Sequence, residues 1–63
     1  MKKKLFYVET EKGKCLRVGL TEKSVKNIEI NLIGVKCKIN EVRIATEEDI
    51  HIIQLNGGFI PKV

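Results

Sequence analysis

The chain has 63 residues, 43% of them hydrophobic and 32% charged, with a net charge of +4. This composition describes one small globular domain and argues against disorder of the whole chain. No stretch approaches the ~20 apolar residues of a membrane span, and the apolar run after Met1-Lys2-Lys3-Lys4 stops at Glu9, too short for an export signal. A soluble cytoplasmic protein with a flexible basic tail over residues 1–3 and no membrane partner is therefore expected.

A domain of this size buries only about 60% of the surface its unfolded chain exposes. Cys15 and Cys37 could add one disulfide at most, so a homo-oligomer is the expected source of further stability. The excess of lysine biases the surface toward anionic partners.

The chain then reads as a succession of hairpins. Lys4 to Thr10 and Lys14 to Thr21 are strand-like runs around Glu11-Lys12-Gly13, a three-residue loop in which Gly13 supplies the left-handed residue. That loop pairs Val8 with Leu16 and Phe6 with Val18 on an apolar face. Tyr7 then lies beside Arg17, and Glu9 beside Cys15, on the other.

Thr21 to Asn27 breaks the alternation and reads as a polar loop or one capped turn. Ile28, Ile30 and Leu32 alternate with Glu29 and Asn31 as in a half-buried strand. Gly34 marks a bulge or corner, beyond which Val35, Cys37 and Ile39 form the inward set.

Asn40-Glu41 as a two-residue turn makes a second hairpin, with Ile39 against Val42 and Cys37 against Ile44. Its outer face sets Lys38 against Arg43 and Lys36 against Ala45.

Thr46-Glu47-Glu48-Asp49 resembles a capping box, and Gly57 is placed to stop a helix. Against this, Ile50, Ile52, Ile53 and Leu55 point around the whole circumference, three of the four are β-branched, and Asn56-Gly57 is a strong hairpin signal. A strand over Ile50 to Leu55, a turn at Asn56 to Gly58 and an edge strand from Phe59 through Pro61 follow, with a short helix over Glu47 to Leu55 as the alternative. The expected fold is all-β: a small barrel or sandwich of about five or six mostly antiparallel strands.

Function is less legible. Lys36, Lys38 and Arg43 on one outer face, with Tyr7 and Arg17 on the other, would form a basic surface containing one aromatic if the two faces join. Single-stranded nucleic-acid binders combine cationic grooves with aromatic platforms in this way. The plainer reading is a solvated face whose lysine stems cover apolar surface. Cys15, near Lys14 and Arg17, is a candidate for a lowered thiol pKa, but no histidine neighbours it. His51 stands alone, and Glu47-Glu48-Asp49 suits a helix start better than a cation site. No cofactor or metal is implied, and no acid–base or nucleophile–base pair supports an enzyme.

The strings Val18-Gly19-Leu20-Thr21 and Glu41-Val42-Arg43-Ile44-Ala45 faintly resemble the tryptophan-responsive RNA-binding attenuator protein family. That resemblance implies a ring of small β-sandwiches with a basic RNA-binding rim. Gln54 to Gly58 lacks the lysine-and-arginine pair of the family, so no site residue is carried over. A nucleic-acid-binding regulatory module using Tyr7, Arg17, Lys36, Lys38 and Arg43 is the first expectation, with single-stranded RNA or DNA as partner. The alternative is a protein-interaction module, a small inhibitor or adaptor, using an exposed edge strand or presenting the basic face to an acidic protein surface.

Overall fold

A computed structural model of the chain describes residues 2–34 and 36–63; Met1 and Val35, the latter assigned above to an inward set, lie outside the described residues. The elements are β1 (Lys4–Thr10), β2 (Gly13–Gly19), α1 (Glu22–Ile33), β3 (Ile39–Ile44) and α2 (Glu47–Leu55). The three strands form one open antiparallel sheet in the order β2-β1-β3. The protein is thus a small α+β domain, and the all-β barrel or sandwich expected from the sequence does not form. Neither does the β-sandwich implied by the attenuator-protein resemblance. Among the described residues no helix is long and apolar enough to cross a membrane.

The sheet is the middle of three layers. Phe6 and Val8 of β1 pack under Val25 of α1, with Cys15 and Val42 at the margin of that cluster. Tyr7 and Leu16 pack on the opposite face against Ile53 of α2, flanked by Leu5, Ala45, Ile50 and Ile60. Leu5-Phe6-Tyr7-Val8 is therefore a central strand covered on both sides, which is what a short unbroken apolar run encodes.

This double cover explains the first correction. β1 and β2 pair as expected, but through a two-residue turn at Glu11-Lys12 that sets Thr10 opposite Gly13, Val8 opposite Cys15 and Tyr7 opposite Leu16. The register is one residue from the predicted one. A slip of one residue turns a core face to water only when the other face is wet; here both faces are dry, and the apolar pattern does not discriminate. Glu11 and Lys12 keep negative φ while Gly13 takes φ +132°. The Thr10 hydroxyl accepts from the Lys12 amide at 3.1 Å and donates to the Gly13 carbonyl at 3.4 Å, closing the turn.

The remaining corrections are helices read as strands. Thr21 caps α1, its hydroxyl accepting from the Ser24 amide at 3.1 Å, and Glu22 in the first turn suits the helix dipole. The helix buries Val25 and Glu29, four residues apart on one stripe; the alternation of Ile28, Ile30 and Leu32 masks that spacing. Gly34 ends the helix at φ +90°, donating to the Ile30 carbonyl at 2.8 Å.

The turn assigned to Asn40-Glu41 lies inside β3. That strand pairs antiparallel with β1, not with a hairpin partner, and an irregularity at Glu9/Thr10 leaves Asn40 as the extra residue of a bulge. In α2 the capping box is complete: the Thr46 hydroxyl accepts from the Asp49 amide, and the Asp49 carboxylate accepts from the Thr46 amide. Gly57, at φ +77°, donates to the Gln54 carbonyl at 3.1 Å, and Gly58 to the Ile53 carbonyl at 2.8 Å. That pair of bonds is a Schellman stop, so the strand assigned to Ile50 to Leu55 is a helix. Asn56-Gly57 is its exit, and the tail through Pro61 forms no strand.

Candidate interaction surface

The five residues singled out from the sequence do not share a face. Residues directly opposite in an antiparallel pair point to the same side, so Arg17, opposite Phe6, faces α1, whereas Tyr7 and Arg43, opposite each other, face α2. Lys36 and Lys38 lie in the connection between α1 and β3, exposed to solvent. Tyr7 is only 6% exposed, so its ring is covered where a stacking platform would have to be open.

Both arginines are held by carboxylates. The Arg17 Nε donates to Glu29 Oε1 at 2.7 Å; Glu29 is 2% exposed, so the pair neutralises a charge under α1. That hydrogen bond raises the Arg17 pKa further above its ordinary value. Arg43 grips Asp49 with two nitrogens, Nη2 to Oδ1 at 2.8 Å and Nη1 to Oδ2, while its Nε reaches Glu41 at 2.5 Å. Its guanidinium lies 4.4 Å from the Tyr7 ring centroid, a cation–π contact.

The Arg43 hydrogen bonds hold the Asp49 carboxyl well below the usual carboxylate range, with bonds from Thr46 helping. Burial, then the hydrogen bond its hydroxyl donates to Glu9 at 2.8 Å, pushes the Tyr7 pKa up to about 12. The sequence offered Cys15 as a thiol of lowered pKa; burial raises it instead, against the opposing effect of Arg17.

What remains open is the outer edge of β3, where Ile44 is 52% exposed, and the lysines; on β2 the central residue Leu16 is buried. The Ala45 amide donates to the Leu5 carbonyl at 2.9 Å, so the bonding direction alternates along β1 from there. Leu5, Tyr7 and Glu9 bond to β3; Phe6, Val8 and Thr10 bond to β2. Consequently Val42 and Ile44 turn their backbone groups away from the sheet on one edge. Lys14, Leu16 and Val18 do so on the other.

Beside the β3 edge a hollow of about 360 Å³ runs under α1, lined by Glu22, Lys23, Lys26, Ile39, Asn40 and Val42 among others. It adjoins a smaller hollow over Ile30, Cys37 and Ile39. Among the described residues no lysine lies within ion-pair distance of a carboxylate.

Sequence reasoning missed Glu29, Lys23 and Lys26, and it placed Asp49 in the capping box without its Arg43 partner. Asp49 was legible as the third helical residue of the capping box. Glu29 was legible only after Val25 and Glu29 were placed on one helical stripe, where a buried acid demands a cation. The sequence matches no protein-family model, no curated protein and no solved structure.

Proposed function

We propose that the protein is a non-enzymatic protein-interaction module that takes an extended, acidic segment of a partner protein along the β3 edge. The observation that carries this reading is an unpaired strand edge bordered by a helix whose Lys23 and Lys26 lie outside ion-pair distance of any carboxylate among the described residues. An added strand would satisfy the outward backbone groups of Val42 and Ile44, and its side chains on the α1 face would meet Ile44, which is 52% exposed, and the hollow beneath α1. Lys23 and Lys26 supply the electrostatic preference: Glu41 in the same hollow is already engaged by Arg43, leaving Glu22 as the one opposing charge. The bulge at Asn40 keeps the ladder short, so affinity would depend on those side-chain contacts as well as on main-chain bonds.

Nucleic-acid binding keeps one supporting observation. The Glu11 amide donates to the Lys38 carbonyl at 3.1 Å, which brings the Glu11-Lys12 turn against the connection that carries Lys36 and Lys38. A cationic end of this kind favours phosphate contacts without a stacking platform.

Capture from nuclease-treated extract of the protein's own cells separates the two readings. Wild type and two variants serve as bait: Ile44→Pro, which removes an outward-facing amide from an edge strand that can tolerate proline, and Lys23→Glu/Lys26→Glu. The expected result is a protein partner retained by wild type and lost by both variants with the fold intact by circular dichroism. Equal capture by all three baits, or capture abolished by nuclease, overturns the reading.

A further inference from the structure

β3 lies where two fields of opposite sign meet. On the α1 face the hollow beside Val42 is bordered by Lys23 and Lys26, with Glu22 as the one carboxylate there that no arginine holds. Val42 and Ile44 point to that face, since they lie opposite Val8 and Phe6, which pack beneath α1. On the α2 face the balance is reversed. Glu41 and Arg43, opposite Glu9 and Tyr7, point there, and the one guanidinium is shared between the Glu41 and Asp49 carboxylates. Glu48 adds a further negative charge beside Arg43, while Lys14 reaches that hollow only from β2, the far strand of the sheet.

We infer that the β3 edge selects a strand whose charges alternate by face, with acids on the α1 side and basic or neutral residues on the α2 side. This rests on the edge docking proposed above and adds a sequence rule to it. Side chains of a strand alternate between faces, and residues directly opposite each other share a face with Cβ atoms about 5 Å apart. The docked residue opposite Val42 therefore points toward Lys23 and Lys26, where an acid is favoured. Its neighbour opposite Glu41 meets a carboxylate that is 47% exposed; a second acid is repelled there, and a lysine or arginine is attracted. The residue opposite Arg43 meets a guanidinium whose three nitrogens already donate within the protein. Opposite the exposed Ile44 an aliphatic side chain extends the apolar surface. In an antiparallel docking the run reads apolar, neutral, acid, base.

Bulk charge predicts the contrary preference. The chain carries a net charge of +4, so long-range attraction favours the most acidic segment available. Only contacts along the ladder can favour a segment of mixed sign. The two effects act in opposite directions and can be told apart.

Two end-capped peptides of eight residues test the rule on the full chain. In the first, valine and glutamate take turns at the odd positions, and threonine and lysine at the even ones. The second has glutamate in place of each lysine. Isothermal titration at low salt, where bulk attraction is strongest, should show the first bound at least about fivefold more tightly. Amide exchange should slow at Val42 and Ile44. Glu41→Gln should narrow the ratio by strengthening the second peptide, and Lys23→Glu/Lys26→Glu should weaken the first. If both peptides protect Val42 and Ile44 but the more acidic one binds as tightly or tighter, the charge rule is overturned and the edge docking stands. A ratio unchanged by Glu41→Gln overturns the rule as well. If neither peptide protects those amides at millimolar concentration, the rule and the edge docking fall together.

Discussion

At residue 43 one guanidinium touches a ring, two carboxylates and, through Asp49, the first turn of α2. Asp49 is the pivot, since it accepts from Arg43 while closing the capping box with Thr46. The sign of its pH dependence follows. A carboxyl whose folded pKa is depressed binds its proton more weakly folded than unfolded, so falling pH favours the unfolded chain. The stabilisation is complete above the unfolded value of ~4 and is lost as pH falls through and below it toward the folded value. Urea midpoints for wild type and Asp49→Asn should therefore differ most near neutrality and converge as pH drops below ~4. A difference independent of pH would show that the carboxylate charge is not what matters. Of this cluster the sequence disclosed the Thr46–Asp49 box but not the Arg43 grip, because that contact joins β3 to α2 across a turn whose geometry no local pattern records.

The two helices show why element type was harder to read than element position. In the segment 46–58 the same residues serve two motifs. Asn-Gly is a hairpin turn between strands and a left-handed exit after a helix, and only tertiary cover decides which. Three β-branched residues lower helix propensity by a few tenths of a kcal/mol each. Burying Ile53 against Tyr7 and Leu16, with caps at both ends, outweighs that. α1 follows the same logic, its strand-like alternation yielding to the Val25–Glu29 stripe and the Arg17 ion pair. β1, by contrast, carried its own evidence in four consecutive apolar residues, and its bounds were legible. At the exit of α2, Gly57→Ala should cost roughly 1 kcal/mol, the penalty of left-handed backbone for an alanine. Gly58→Ala should cost more, on the order of 1–3 kcal/mol, because its Cβ would sit 2.5 Å from Ile53 Cγ2 and 3.0 Å from the Ile53 carbonyl oxygen. Thermal unfolding of both variants checks the order; a Gly58→Ala protein as stable as wild type would mean that α2 does not end in this way.

Across the whole molecule the two sides of the sheet are covered unequally. α1, with 12 residues, spans one face. α2 has only nine and leaves part of the other to the chain that follows it. There the tail divides its apolar residues: Ile60 packs into the cluster of Tyr7, Leu16 and Ile53, while its neighbour Phe59 is 80% exposed. Hydrophobic content alone would rank phenylalanine the more valuable of the two, and the fold reverses that ranking. Ile60→Ala should destabilise by about 1–2 kcal/mol, less than a fully buried isoleucine because the side chain is only partly buried. Phe59→Ala should stay within about 0.5 kcal/mol of wild type. Denaturant unfolding of the two variants reads the contrast directly. Were Phe59→Ala the more damaging, the tail would have to lie the other way over the α2 face. Tyr7, and with it the stacked Arg43, would then lose the cover that distinguishes this domain from one with a bare aromatic on an open sheet.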